Sequence, residues 1–240
     1  MIRHALIIVL LGLTPIARGQ GGGKKFTFRT LCFNYVDQIT KVYVADPEAG
    51  SRAEVPLFTD VYSLPAKGIS SDGKVTFFLT DEIPPKGETA PGLAPVSLPN
   101  SNKVLFVFLP NPGKKGQPYK VLALADDTAS FPLGSVKILN ITPANLRFDL
   151  GENAEKKGIK VGPGKTANVD QVRKVNHLNQ YDAKVLYELK PGEFTPFYNS
   201  RWRSVDKKRD LVITYLDPIS KQPVVSLYED VPPAETPAAP

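Results

Sequence analysis

Cysteine, methionine, tryptophan and histidine are nearly missing from this 240-residue chain, which holds one Cys, one Met, one Trp and two His. A single cysteine, Cys32, excludes an intrachain disulfide, so stability must come from an apolar core. His4 falls in the N-terminal leader, which leaves His177 as the one remaining imidazole. Neither H-x-x-x-H nor C-x-x-C spacing occurs, so no metal site is expected. The same scarcity argues against Ser-His-Asp and Cys-His catalysis. Cys32 lies in the apolar stretch "RTLCFNY" and reads as a buried, inert thiol. Long hydrophobic runs are scarce too. Beyond the leader, none approaches the about 20 residues of a membrane-spanning helix.

Proline and glycine are abundant, at 23 and 18 residues, against a hydrophobic content of 42%. That combination predicts many short strands joined by turns around a real core. The formal charge is +6. Removal of Arg3 and Arg18 with the leader leaves 28 basic against 24 acidic residues, a dispersed +4. Such a balance is not the footprint of a nucleic-acid binder.

The opening "MIRHALIIVLLGLTPIARGQ" has a basic start, an apolar run from Ala5 to Leu13 and small residues at Ala17 and Gly19. It reads as an export signal at residues 1–19, cut before Gln20. A flexible leader is expected at 20–25 and a Pro/Ala-rich tail at 231–240.

Between them the chain says nearly the same thing twice. "KVLFVFLPNPGKKGQPYKVLALADD" near the middle is echoed by "RDLVITYLDPISKQPVVSLYED" near the end. Leu109 matches Leu216, Gln117 matches Gln222, Asp127 matches Asp230, Asn34 matches Asn140, and Lys74-Val75 matches Lys184-Val185. Landmarks kept in order, with loops of varying length between them, are the mark of a repeated unit. The pattern predicts an all-β chain of two tandem antiparallel β-sandwich domains, at 26–127 and 135–230, joined by a linker at 128–134. The rival arrangement is a single large sandwich or barrel to which each half gives one sheet. Residues 165–180, with Val169, Val172, Val175 and Leu178 at a three-residue step, fit a short helix or a long loop.

Carboxylate pairs occur at Asp81-Glu82, Asp126-Asp127 and Glu229-Asp230, each just after an apolar run. Neighbours on a strand point to opposite faces, so these pairs read as solvated strand ends. "VGPGKTAN" lacks the spacing of a phosphate loop and reads as a hairpin turn. The segment "FTPFYNSRWRSVDKKRD" interleaves aromatic and basic residues. Phe197, Tyr198, Arg201, Trp202 and Arg203 form the candidate partner-binding patch. Strand alternation offers the plainer arrangement, with Trp202 in the core and Arg201 and Arg203 on the solvated face.

"GSVKILNITPANLRFDL" followed by "KVGPGKTA" resembles the opening of immunoglobulin-like domains in bacterial exported proteins. In those domains a strand ends in Asn, a Pro-containing turn follows and a second strand leads to a Pro-Gly turn. The resemblance implies the tandem immunoglobulin-like architecture and carries no site. Two such units with an export signal and a basic pI also resemble periplasmic pilus chaperones. In that family an Arg and a Lys between the domains hold a client's carboxylate. The family's aromatic-Leu-x-Gln motif is missing from the first half, so no anchor residue carries over. The function expected is that of an exported, non-enzymatic structural or binding protein of the bacterial cell envelope, without a cofactor. Its partner would be an envelope protein or a polysaccharide. The alternative is a periplasmic chaperone or assembly factor.

Overall fold

The computed structural model describes residues 23–46, 50–85, 91–217 and 220–232. The signal expected at 1–19 and most of the tail at 231–240 lie outside the described residues. The described chain is all-β, in several antiparallel and mixed sheets. Among the described residues there is no α-helix, and no helix is long and apolar enough to cross a membrane.

The first half holds β1 (Lys24–Cys32), β2 (Lys41–Ala45), β3 (Arg52–Pro56), β4 (Ala66–Ser70), β5 (Lys74–Val75), β6 (Val96–Ser97), β7 (Lys103–Pro110) and β8 (Tyr119–Ala125). Strand β1 starts inside the stretch expected to be a flexible leader. Lys24 and Lys25 already pair with Ser70 and Ile69. One sheet has the order β4-β1-β7-β8, with β1 and β7 parallel. Facing it are the β2-β3 and β5-β6 pairs, tied together by bridges from Phe78 to Tyr43 and Gly92. The core between these layers is aromatic. Phe77 meets Phe106 at 4.9 Å and Phe108 at 5.0 Å between ring centroids, both edge to face. Edge-to-face contact suits the ring quadrupole and adds about 0.5–1.5 kcal/mol per pair beyond area burial. Gly68 is needed here, because a Cβ on it would come within 2.4 Å of the Phe26 ring. Cys32 is buried in this core, and burial pushes its thiol up to about 11.

The second half holds β9 (Val136–Asn140), β10 (Leu146–Leu150), β11 (Ile159–Val161), β12 (Thr166–Val169), β13 (Gln180–Lys190), β14 (Glu193–Arg203), β15 (Arg209–Leu216) and β16 (Pro223–Asp230). A 3-10 turn covers Gly151–Lys156. One sheet has the order β12-β9-β15-β16, again with a parallel central pair, and faces the sheet β11-β10-β13-β14. Residues 165–180 hold β12 and then an irregular segment, not a helix. Val169 and Val172 are buried there and Val175 packs against the same core. The Gly-Pro-Gly turn connects β11 to β12, which belong to facing sheets, so it is a crossover and not the expected hairpin. Asn140 organises this corner. Its Nδ2 donates to the Ala144 and Val161 carbonyls at 2.8 and 2.9 Å, and its Oδ1 accepts from the Thr142 N–H at 2.9 Å. The Asn-containing strand end noted in the sequence is thus a fold determinant.

Two apolar clusters lie one inside each half. A third joins them, made of Leu31, Phe33, Leu105, Val107, Leu109, Phe131, Leu139, Leu211 and Ile213. Successive strand residues point to opposite faces. In β7, Val104, Phe106 and Phe108 therefore serve the first core, while Leu105, Val107 and Leu109 serve the third. In β15, Val212 faces the second core and Leu211 and Ile213 the third. The sheets containing β1 and β9 pack face to face, giving four layers with three interiors. The segment 128–134, expected as a linker, contributes Phe131 to the middle one, and Gly134 N–H donates to the Lys208 carbonyl at 2.6 Å. Burying a large apolar side chain contributes about 1.5–3 kcal/mol. The nine residues of this seam therefore outweigh surface ion pairs, worth about 0–1 kcal/mol each.

Candidate functional site

The aromatic-basic segment forms β14 and the turn that follows it. Trp202 points into the second core, 3% exposed, and its Nε1 donates to the Tyr198 hydroxyl at 3.1 Å. Phe197 and Tyr198 are half-buried against the same core. A register irregularity opposite Val185/Leu186 leaves Phe197 without a cross-strand partner. Arg201 and Arg203 are exposed on the opposite face, where Arg201 Nε lies 3.5 Å from Asp182. The five residues are therefore divided between core and solvent, by alternation from Tyr198 to Arg203 and by the register irregularity at Phe197. His177 is exposed, and among the described residues no His, Cys, Asp and Glu cluster could hold a metal ion.

The carboxylate pairs depart from expectation. Asp81 and Glu82 are exposed, but Asp126 and Asp230 are buried in the seam between the halves, with side chains 8% and 2% exposed. The strand registers set Lys103 against Asp126 and Arg209 against Asp230. Asp126, not Asp127, therefore occupies the place in the first half that Asp230 occupies in the second. Both strand ends converge on Arg29 of β1 and Arg209 of β15, each buried. Arg29 binds both carboxylates. Its Nε and Nη2 donate to Asp126 at 2.9 and 3.0 Å, and its Nη1 and Nη2 donate to Asp230 at 2.8 and 2.7 Å. Arg209 Nε donates to Asp230 at 2.8 Å and its Nη2 to Asp126. Its Nη1 donates to the carbonyls of Asp126 and Phe131 at 3.2 and 2.8 Å. Tyr62 and Phe131 cover the cluster, with ring centroids 4.8 Å from Arg29 Cζ and 4.4 Å from Arg209 Cζ.

Four charges removed from water are costly unless hydrogen bonds satisfy them. Here each guanidinium makes four such bonds, and the bidentate geometry is that of strong, charge-assisted pairing. Burial works against the Asp230 charge, but the Arg29 and Arg209 guanidinium groups outweigh it and hold the carboxyl below its usual value. Burial also opposes the Arg29 charge, and Asp230 and Asp126 reverse that and make it more basic. Lys137, whose Nζ donates to the Ser130 carbonyl at 3.2 Å, is shifted down by burial and by Arg209 nearby. A second buried pair lies next door. Lys208 Nζ reaches Asp210 at 3.0 Å and Glu229 at 2.6 Å, and burial pushes the Asp210 carboxyl up despite that contact.

These shifts set an acid dependence. A carboxyl whose folded value is depressed stabilises the fold above its unfolded value of about 3.9, and that contribution is lost as pH falls through the lower folded value. Asp230 acts in this sense, whereas Asp210, shifted the other way, is relieved by protonation. Urea midpoints are expected to stay level from neutral pH to about pH 5 and to fall below about pH 4. Asp230→Asn should be less stable at neutral pH and show a shallower fall in acid. An acid slope equal to that of the unchanged protein would disprove the assignment.

At the open end of the seam lies a cleft of about 350 Å³. Its floor is the edge-to-face pair of Phe33 and Tyr215, 4.3 Å between centroids. Asn34, Thr59 and Asp60 come from the first half, and Ser226 and Tyr228 from β16. The Tyr62 hydroxyl and the Tyr228 carbonyl, 3.5 Å apart, link the halves. Burial, with Tyr215 and Asp60 nearby, pushes the Tyr228 phenol up to about 12, against the effect of its bond to Ser226.

No protein-family model matches the chain, and no characterised protein matches it in sequence.

The charge cluster escaped the sequence because its members are remote, Arg29 and Asp230 being 201 positions apart. One signal was present. Arg29 shares a face of β1 with Leu31, and a cation on an apolar face calls for a buried anion.

Proposed function

We propose that the chain is an exported, non-enzymatic structural or binding protein of the bacterial cell envelope, built from two immunoglobulin-like β-sandwiches that arose by duplication. The order of strands supports the duplication. The sheet β4-β1-β7-β8 and the sheet β12-β9-β15-β16 each place the half's first strand parallel to its penultimate strand, with the last strand at one edge. The observation that carries the functional reading is the fate of the buried charges. Asp126 and Asp230, two carboxylates bound by the same pair of arginines, are closed to solvent and committed to those guanidinium groups. Carboxylates held in this way join one half to the other and offer neither a general acid nor a nucleophile to a substrate.

The alternative, an assembly factor that captures an extended strand, draws support from β8 and β16. Each pairs on one side only and carries half-buried apolar side chains. An uncovered edge of that kind can accept a further strand. Against it stands the saturation of Arg29 and Arg209. The arginines between the halves are already occupied, so neither is available to a client's carboxylate.

Expression of the full chain in a bacterial host, followed by fractionation and mass spectrometry of the N-terminus, tests the export reading. Recovery from the envelope or periplasm with Gln20 as the first residue is expected. Retention in the cytoplasm with residues 1–19 attached would overturn it.

A further inference from the structure

We infer that the cleft at the open end of the seam is a binding site for a neutral saccharide unit, with walls drawn from both halves of the molecule. The inference rests on the envelope reading only for the source of the saccharide. The site itself is argued from its chemistry.

Three of its wall side chains are uncommitted. Asn34, Thr59 and Asp60 have no side-chain hydrogen-bond or ion-pair partner among the described residues, and Asn34 and Asp60 are exposed. Together they offer a carboxylate that only accepts, a carboxamide that donates and accepts, and a hydroxyl that does both. Vicinal sugar hydroxyls, each donor and acceptor at once, match that set. Tyr215 and Tyr228 border these groups, and the exposed lining is mainly polar, as a hydroxyl-rich ligand requires. Charge then selects among ligands. The chain carries 30 Lys and Arg residues, yet no Lys or Arg lies among the described residues that line this cleft, while Asp60 does. A phosphate, sulfate or uronate would meet one negative charge and no positive one, so anions are excluded. The volume of about 350 Å³ is at the small end of ligand clefts, which span about 300–1,000 Å³. That suits a sugar ring and part of its neighbour.

The position matters as much as the lining. The floor pairs Phe33 of the first half with Tyr215 of the second, and both belong to or pack against the middle core. The aromatic floor is therefore rigid before a ligand arrives, which lowers the ordering cost of binding.

The test is calorimetric titration of the full-length mature chain with neutral trisaccharides of glucose, galactose, mannose, xylose and N-acetylglucosamine, alongside a glucuronate-containing trisaccharide and putrescine. At least one neutral trisaccharide is expected to bind, and the glucuronate-containing one is not. Asp60→Ala and Asn34→Ala should each weaken binding by about tenfold, the equivalent of a lost hydrogen bond to a polar group. Both positions are exposed and partnerless, so their urea midpoints should equal that of the unchanged protein. The proposal falls if no neutral trisaccharide binds, if putrescine alone binds, or if both variants bind as tightly as the unchanged chain. Envelope recovery without saccharide binding sinks the site and leaves the export reading standing. Saccharide binding by a cytoplasmic protein does the reverse.

Discussion

Arg209→Met is expected to lower the free energy of unfolding by about 3–5 kcal/mol, the cost of leaving buried carboxylates without their partner. The Arg209 side chain is 0% exposed, and its removal strips charge-assisted bonds from Asp126 and Asp230 together. It also frees the Asp126 and Phe131 carbonyls, which cannot turn to water inside the seam. Arg209→Lys should recover little. An ammonium is a point donor, whereas the guanidinium fork reaches two carboxylates and two carbonyls at once. Urea unfolding at neutral pH measures both variants. A loss below about 1 kcal/mol for Arg209→Met would place that side chain among exposed ion pairs and contradict the buried network.

Trp202→Ala should cost a comparable amount, about 3–5 kcal/mol, as truncation of a large aromatic in a packed interior does. The indole lies edge to face with Tyr181 at 6.3 Å and tilted against Tyr198 at 6.1 Å, so its loss opens a void that these rings cannot close. Arg201→Ala and Arg203→Ala, on the solvated face of the same strand, should change stability by no more than about 0.5 kcal/mol. The contrast within one short stretch is the informative quantity. Equal and small effects at all three positions would return Trp202 to the surface and restore the aromatic-basic patch as a binding face.

Much of the fold was legible in the residues because alternation and turn chemistry are local. The runs at Lys103–Pro110 and Arg209–Leu216 announce strands, and Pro191-Gly192 announces the β13–β14 hairpin. What alternation could not supply was the count of layers. In β1, Phe26 and Phe28 fall on one face and Leu31 on the other, with Phe33 just past the strand packed beside Leu31 in the middle core. That change of parity is the mark of a strand buried on both sides, and it is easily taken for a single uneven stripe. The irregular segment after β12 misled for another reason. Its three-residue valine step matches a helix, but Val172 and Val175 are held against the second core by tertiary contact and not by helical hydrogen bonds. The candidate sites were the least legible part. Arg29 and Asp230 meet only because the end of β16 comes back onto the middle of β1, and the cleft gathers residues from Phe33 to Tyr228. No window along the chain contains either.

The middle interior has a bearing on how the molecule can be cut and handled. Severing the chain between Asp127 and Ser135 would not release two self-sufficient pieces. Each would carry a greasy flank, Leu105 and Val107 on one and Leu211 and Ile213 on the other, now turned toward water. A shared interior of this kind couples the two halves, so a single cooperative melting transition is expected of the whole chain, and separating the halves would call for re-engineering the surfaces they share.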